Sequence, residues 1–316
     1  MNLISKRYLY FLISGIVIIP GLLALLFWGL PLSIDFTGGS LLEVKFDAGK
    51  MPQPAEIVAL YAQNGIQDTQ VQTSGTDTLS ITSKEIDEAT KTTLVNAMTA
   101  KYSSAVNVLQ FNTVGPSIGL EVTQGATLAV IAAAFVILLY ITFAFRGIPH
   151  AFRFGTAAII AMLHDVAVVV GVAALLGHFL GWEVDSLFLT ALLTVIGFSV
   201  HDTIVVFDRI RENENIFRSL SFEAVVNHSV VQTLDRSINT QLTVMMTLFA
   251  LALFGGLTIR HFVITLLIGV FSGTYSSIFN ASPILVVWEN KEWRTWPAWF
   301  RGLFGGSKKK PGVANQ

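Results

Sequence analysis

Six stretches of this 316-residue chain are long and apolar enough to cross a bilayer, and that pattern limits the fold more than any motif does. A spanning helix needs about 20 apolar residues, with a range of about 17–25. Inside hydrocarbon, only helices and closed barrels satisfy every backbone polar group. The stretches run over 8–30, 126–145, 154–176, 186–207, 238–254 and 262–287. Charged residues make up 13% of the chain, against about 25% in soluble domains. That excludes a disordered chain and argues against a soluble enzyme. The fifth stretch is the weakest, because it opens on Asn239, Thr240 and Gln241. The sixth carries Gly269, Gly273, Asn280 and Pro283, which predicts a kink or a close helix contact.

Lys and Arg near the span ends set the expected orientation. Lys6 and Arg7 precede the first span, Arg146 and Arg153 separate the second and third, and Arg209, Arg211 and Arg218 follow the fourth. Lys291, Arg294, Arg301 and Lys308 to Lys310 follow the sixth. The alternate loops are nearly bare: 178–185 has no Lys or Arg, and 255–261 has only Arg260. Both termini are therefore expected in the cytoplasm, and the long segment 31–123 on the far side of the membrane. The first apolar stretch exceeds the h-region of a cleaved signal, about 7–15 residues, and no small-residue cleavage site follows it. It reads as an uncleaved anchor. The expected organisation is residues 1–30 as N-terminus and first span, 31–123 as outer domain, 124–288 as spans two to six, and 289–316 as a cytoplasmic tail. The lysines of that tail read as a solvated charge run near anionic lipid.

The outer segment is of another kind. It is acidic and alternates short β-type runs with helical patterns. Residues 41–46 alternate as a strand, and 54–63 form a helix opened by Pro52 and Pro54 and closed by Gly65. Two short strands, 69–73 and 78–82, flank the turn signal Ser74-Gly75. A helix over 85–102 has acids in its first turn, and a strand follows at 106–113. The order β-α-β-β-α-β is the ferredoxin-like plan. The segment has no His, no Cys and no GxGxxG. It reads as a binding or mechanical module.

A charge at the bilayer centre costs at least about 2.5–3.5 kcal/mol on insertion scales. Such a residue faces the bundle interior, finds a partner or does work. Asp165 falls about 16 Å into the third span, near the middle of a roughly 30 Å core. Asp202 lies about 24 Å along the fourth span. The fifth apolar core is short, so a full span extends it backwards and draws Arg236 into the membrane. Asp202 and Arg236 then differ in depth by about 4 Å, which an Arg side chain can bridge. One reading is a protonatable carboxylate with an arginine that changes partner, since Arg does not release its proton. The other is a static ion pair fixing helix register. Asp165 reads either as part of a proton path or as a buried packing carboxylate. His201, beside Asp202, suits a proton relay by its ordinary pKa, or is a hydrogen-bonded core histidine. The pairs His164-Asp165 and His201-Asp202 do not read as metal sites, because adjacent helical side chains point about 100° apart.

Other chemistries lack their residues. With no Cys there is no disulfide, thiol nucleophile or Cys-ligated zinc. There is no GxxxxGK[ST], GxSxG or HExxH, so nucleotide hydrolysis, and enzymatic activity generally, are not expected. A formal charge of −1 points away from nucleic acid. No cofactor is expected; work must come from an ion gradient or a partner. Two backbone motifs remain. Asp35-Phe36-Thr37-Gly38-Gly39 follows the first span, where tandem glycines allow a sharp turn or a close approach of another segment. Gly115-Pro116 marks the return to the membrane, as a hinge or a linker.

These motifs together resemble the SecF family of Sec-translocon accessory subunits, within the RND-transporter superfamily. The resemblance rests on 34–40 (IDFTGGS), 114–119 (VGPSIG), 161–166 (AMLHDV), 197–213 (GFSVHDTIVVFDRIREN) and 234–240 (LDRSINT), in order across essentially the whole chain. The pattern departs at His201, where the family commonly has Asn, and at Ser237 and Gln241, where it more often has Thr and Ser. The resemblance implies a SecD partner, half of an RND-type membrane architecture in this chain, and association with the SecYEG channel in the bacterial inner membrane. It implies a proton-responsive Asp202 and Arg236, protons being the coupling ion. It also implies a moving periplasmic domain that helps draw unfolded secretory polypeptides outward after SecA has inserted them. Two rival readings are a half-size RND small-molecule exporter and a passive scaffold of the channel.

Overall fold

A computed structural model describes residues 2–47, 49–74, 76–146 and 151–294. Met1, Ala48, Gly75, 147–150 and 295–316 lie outside the described residues. The chain starts with helix α1 (Arg7–Trp28), followed by a single turn, α2 (Ile34–Thr37). The small domain follows as β1 (Gly39–Lys45), α3 (Pro54–Gln63), β2 (Gln70–Ser74), β3 (Thr78–Ser83), α4 (Glu88–Tyr102) and β4 (Asn107–Val114). Then come α5 (Pro116–Ala144), α6 (Ala151–Leu180), α7 (Ser186–Ile216), α8 (Phe222–Phe254) and α9 (Leu257–Ser276). A π-helical turn, Ser277–Ala281, joins α9 to α10 (Ser282–Glu289).

Six helices, the last of them α9 continued through α10, are long and apolar enough to cross a membrane. The fifth does extend backwards: α8 has 33 residues, about 50 Å of helix. Its polar start is supported by a stripe of buried residues, Val225, Ser229, Thr233, Ser237 and Gln241, spaced one turn apart. The expected irregularity in the sixth span is the π turn. Pro283 lacks an N–H and crowds the carbonyl four residues back, so the helix widens just before it. Ser282 donates its hydroxyl to the Ser277 carbonyl at 3.2 Å, which helps satisfy the backbone there. Small residues let the helices close. A Cβ added to Gly21 of α1 would stand 2.7 Å from Gly171 Cα of α6.

The small domain is an antiparallel four-stranded sheet in the order β2-β3-β1-β4. This is the ferredoxin-like plan read from the strand and helix patterns. Alternation puts Leu42 and Val44 of β1 and Leu79 and Ile81 of β3 on one face, where Ile57, Leu60 and Tyr61 of α3 and Leu94 and Met98 of α4 cover them. Burial pushes the Tyr61 hydroxyl well above its ordinary range. Asp87 caps α4 through the Thr90 N–H. The apolar residues of this core lie on the face that their period dictates.

Candidate functional site

Asp165 sits on α6 among Ala157, Ala158, Ala161 and Met162, residues small or flexible enough for α7 and α9 to approach. It is 1% exposed. Ser199 of α7 donates to Oδ2 at 2.5 Å, and Ser276 of α9 donates to the same atom at 2.6 Å. Ser272, one turn earlier on α9, donates to Oδ1 at 2.6 Å, and His164 Nδ1 stands 2.9 Å from Oδ1. An ionised carboxylate has about four acceptor positions, and four donors surround this one. The chain of polar groups continues. His164 Nε2 is 3.1 Å from Ser14 Oγ of α1, which accepts from Asn280 Nδ2 at 2.9 Å. Ser14 Oγ also lies 3.1 Å from Asn280 Oδ1, so Asn280, Ser14, His164 and Asp165 form one connected chain of polar groups.

Asp202 is almost as buried and differently furnished. It is 3% exposed on the buried face of α7. It accepts from Gln241 Nε2 of α8, 2.5 Å from Oδ2. His201 Nδ1 stands 3.6 Å from Oδ1, an ion-pair separation too long for a hydrogen bond, and its side chain is 64% exposed. Gln241 is itself 3% exposed, and its Oε1 is buried without a hydrogen-bond partner among the described residues.

The expected bridge from Arg236 to Asp202 is not formed. Arg236 is exposed and makes no hydrogen bond or ion pair among the described residues, although its charge acts on Asp202 across the gap. The reason lies in the helix period. Arg236 is one residue, about 100°, away from the buried stripe that carries Ser237 and Gln241. Depth brings Arg236 level with Asp202, but direction gives that place to Gln241.

The tandem glycines join the domain to the bundle. Ser33 caps α2 through the Asp35 N–H. Asp35 Oδ2 accepts from the Ser186 N–H at 2.9 Å and its hydroxyl at 2.6 Å, which ties the turn to the start of α7. Gly38 and Gly39 have φ of +73° and +126°. A Cβ on Gly38 would lie 2.8 Å from Pro116 Cα, and one on Gly39 would lie 2.5 Å from the Ser83 carbonyl oxygen. Phe36 packs against the cluster that includes Val184, Phe188 and Leu192, while the Thr123 hydroxyl donates to its carbonyl. Gly115 is the N-cap of α5 and Pro116 its first residue. The turn and the return segment, far apart in sequence, are one joint.

Sequence reasoning missed Ser14, Ser199, Ser272 and Ser276, read Asn280 only as part of an irregular sixth span, and marked Gln241 as a departure bearing on the Asp202 network without making it the partner. A signal was present: Ser272 and Ser276, and separately Ser199 and Thr203, repeat at one-turn spacing inside apolar spans. Such spacing marks a polar seam between helices. Among the described residues no three His, Cys, Asp or Glu cluster in a way that could hold a metal.

Six spanning helices, one small ferredoxin-like domain inserted after the first, and carboxylates in the bundle core define a multi-pass membrane protein on half of an RND-type plan. The comparisons give the class its family. The model for SecD/SecF protein export membrane proteins, C-terminal region, matches residues 94–291, and the SecD/SecF GG motif matches residues 24–50. The chain is 58% identical over 297 residues to the protein translocase subunit SecF of Anaerolinea thermophila, covering 94% of this chain and 96% of that one. It is 48% identical to the SecF of Thermobaculum terrenum, covering 92% and 95%. The crystal structure of SecDF from Thermus thermophilus, a translocon-associated membrane protein, superposes with a TM-score of 0.81 at 32% identity, over 92% of this chain and 39% of that chain. The chain belongs to the SecD/SecF family, as a SecF-type auxiliary subunit of the Sec translocase in the bacterial inner membrane.

Proposed function

We propose that this subunit, with a SecD partner, uses the proton-motive force to promote the late stage of polypeptide export through SecYEG, after SecA has started the substrate. One observation carries the reading: Asp202, buried in the bundle, accepts a hydrogen bond from Gln241 and stands near, but apart from, His201 and Arg236. A carboxylate so sparsely solvated changes protonation more readily than one with its anion fully bonded. Protons are the coupling ion, and no other cofactor is required. His164 and Asp165 belong to the same polar seam and support its geometry.

A SecD-type partner is supported by the fused SecDF relatives, of which this chain corresponds to about two fifths. It is also supported by the apolar faces that α5 and α8 leave exposed, among them Leu128, Ile131 and Phe135, and Met246 and Phe249. The Lys and Arg distribution orients the end where Arg7 meets Glu292 toward the cytoplasm, and the sheet domain toward the periplasm. The joint at Gly38, Gly39 and Pro116 then carries motion between bundle and domain.

The test is translocation in vesicles depleted of the native subunit. Wild type and Asp202→Asn are compared with and without a proton gradient, once SecA and ATP have engaged the substrate. Wild type alone should speed completion, and only with the gradient. Equal support by both proteins makes Asp202 a structural charge and this subunit a passive scaffold.

A further inference from the structure

We infer that Gln241 is the positioning residue of the proton site: an amide that serves Asp202 in both of its protonation states by turning over between them. The inference rests on the proton-coupling reading above and adds to it a residue that the charged groups alone do not suggest. A glutamine amide has a donating end and an accepting end, about two-fold related about its last torsion. In the structure the donating end faces the carboxylate, with Nε2 2.5 Å from Oδ2, the arrangement an anion requires. The accepting end, Oε1, is buried and empty-handed among the described residues. A buried carbonyl without a partner costs free energy, so its retention beside a titratable group calls for an explanation.

The amide supplies one. When Asp202 takes up a proton it gains an O–H donor, and a half-turn of the amide brings Oε1 to accept from it. Only a proton moves, from the aqueous path to the carboxylate oxygen. The charged and titratable groups that act on Asp202 are His201 on the same helix and Arg236 on α8, while Asp165 of α6 meets α7 at Ser199, about one turn before Asp202. None of these presents both a donor and an acceptor to Asp202 within hydrogen-bonding distance among the described residues.

A hydrogen bond to a charged group is worth more than one between neutral groups. Removing the amide therefore favours the protonated carboxyl. The experiment is an infrared pH titration of the full chain with its SecD partner in lipid vesicles. It follows the carboxylic C=O band that disappears in Asp202→Asn. Gln241→Met, close in size and without either polar end, should raise the titration midpoint by about one pH unit and move the band to higher frequency, as its O–H loses an acceptor. Gln241→Glu, closer still in shape, places two carboxylates on one proton and should raise the midpoint further. Either variant gives the reading if the other does not assemble. A wild-type midpoint that neither variant moves overturns the role of Gln241 and leaves proton coupling standing. No Asp202-dependent band in wild type at any pH overturns both.

Discussion

Asp165 and Asp202 share a chemistry and a near-complete burial, yet the bundle treats them oppositely. Three serine hydroxyls and an imidazole surround Asp165, drawn from three helices. Asp202 has one amide, a histidine at 3.6 Å and an arginine turned to the surface. The free energy of a buried charge depends on how completely its lost hydration is replaced. At Asp165 four donors replace that hydration and tie α6, α7 and α9 together. At Asp202 a single amide within hydrogen-bonding distance replaces it. Burial alone does not distinguish the two carboxylates; the count of donors does.

The largest expected effect breaks the comparison from the Asp165 side. Asp165→Leu strips the acceptor from three buried hydroxyls and an imidazole, and breaking such a network costs about 3–5 kcal/mol. Little folded protein should accumulate in the membrane, measured by detergent-extracted yield and thermal midpoint. Normal yield would show that the network is dispensable. Asp202→Asn should do the reverse. Its amide can accept from Gln241 Nε2 and donate to the vacant Oε1, so stability should hold within about 1 kcal/mol. All gradient-dependent export should vanish. A variant that unfolds instead would put Asp202 in the same class as Asp165.

The sequence made much of this frame legible. Span number and the βαββαβ order follow from periods and lengths, which survive any detail of packing. The helix over 54–63 agrees with α3 residue for residue, because Pro54 and Gly65 punctuate it. Partner choice was harder. Arg236 is the natural counter-charge by depth, but a 100° rotation about α8 decides the neighbour, and rotation is set by the stripe Val225 to Gln241. Within a span the polar members of that stripe look like weak points in an apolar run. The Asp165 donors come from three helices, and no single-segment pattern assembles them.

Two smaller changes sharpen the contrast. Arg236→Lys keeps the charge and loses the planar fork. Export in the presence of the gradient should fall several-fold with assembly unchanged, and full activity would remove Arg236 from the coupling step. Ser272→Ala deletes one of four donors to Asp165. The remaining three still bond the carboxyl group, so stability should drop by about 1 kcal/mol, read as a lower thermal midpoint, with gradient dependence intact. A loss of coupling in this variant would mean that Asp165 titrates too.

A third carboxylate extends the comparison beyond the apolar depth. Glu183 lies between α6 and α7, against the small domain. Burial pushes its carboxyl above the ordinary range, the neighbouring charge of Asp185 adds to this, and a hydrogen bond from Thr82 of β3 opposes it. Nearby, a Cβ on Gly181 would lie 2.7 Å from Gln72 Oε1 of β2, so the loop and the sheet are in close contact. A raised carboxyl binds its proton more tightly in the folded joint than in the unfolded chain. Its stabilising contribution is therefore complete below the unfolded value and is lost as pH rises through the folded one. Glu183→Gln keeps the neutral form at every pH. It should match wild type in acid and exceed it at neutral pH, by about 1–2 °C in thermal midpoint. Parallel curves for the two proteins would show that Glu183 is solvated and that the joint does not sense it. Convergence only in acid would identify the contact between loop and sheet as one that loosens when its carboxylate ionises.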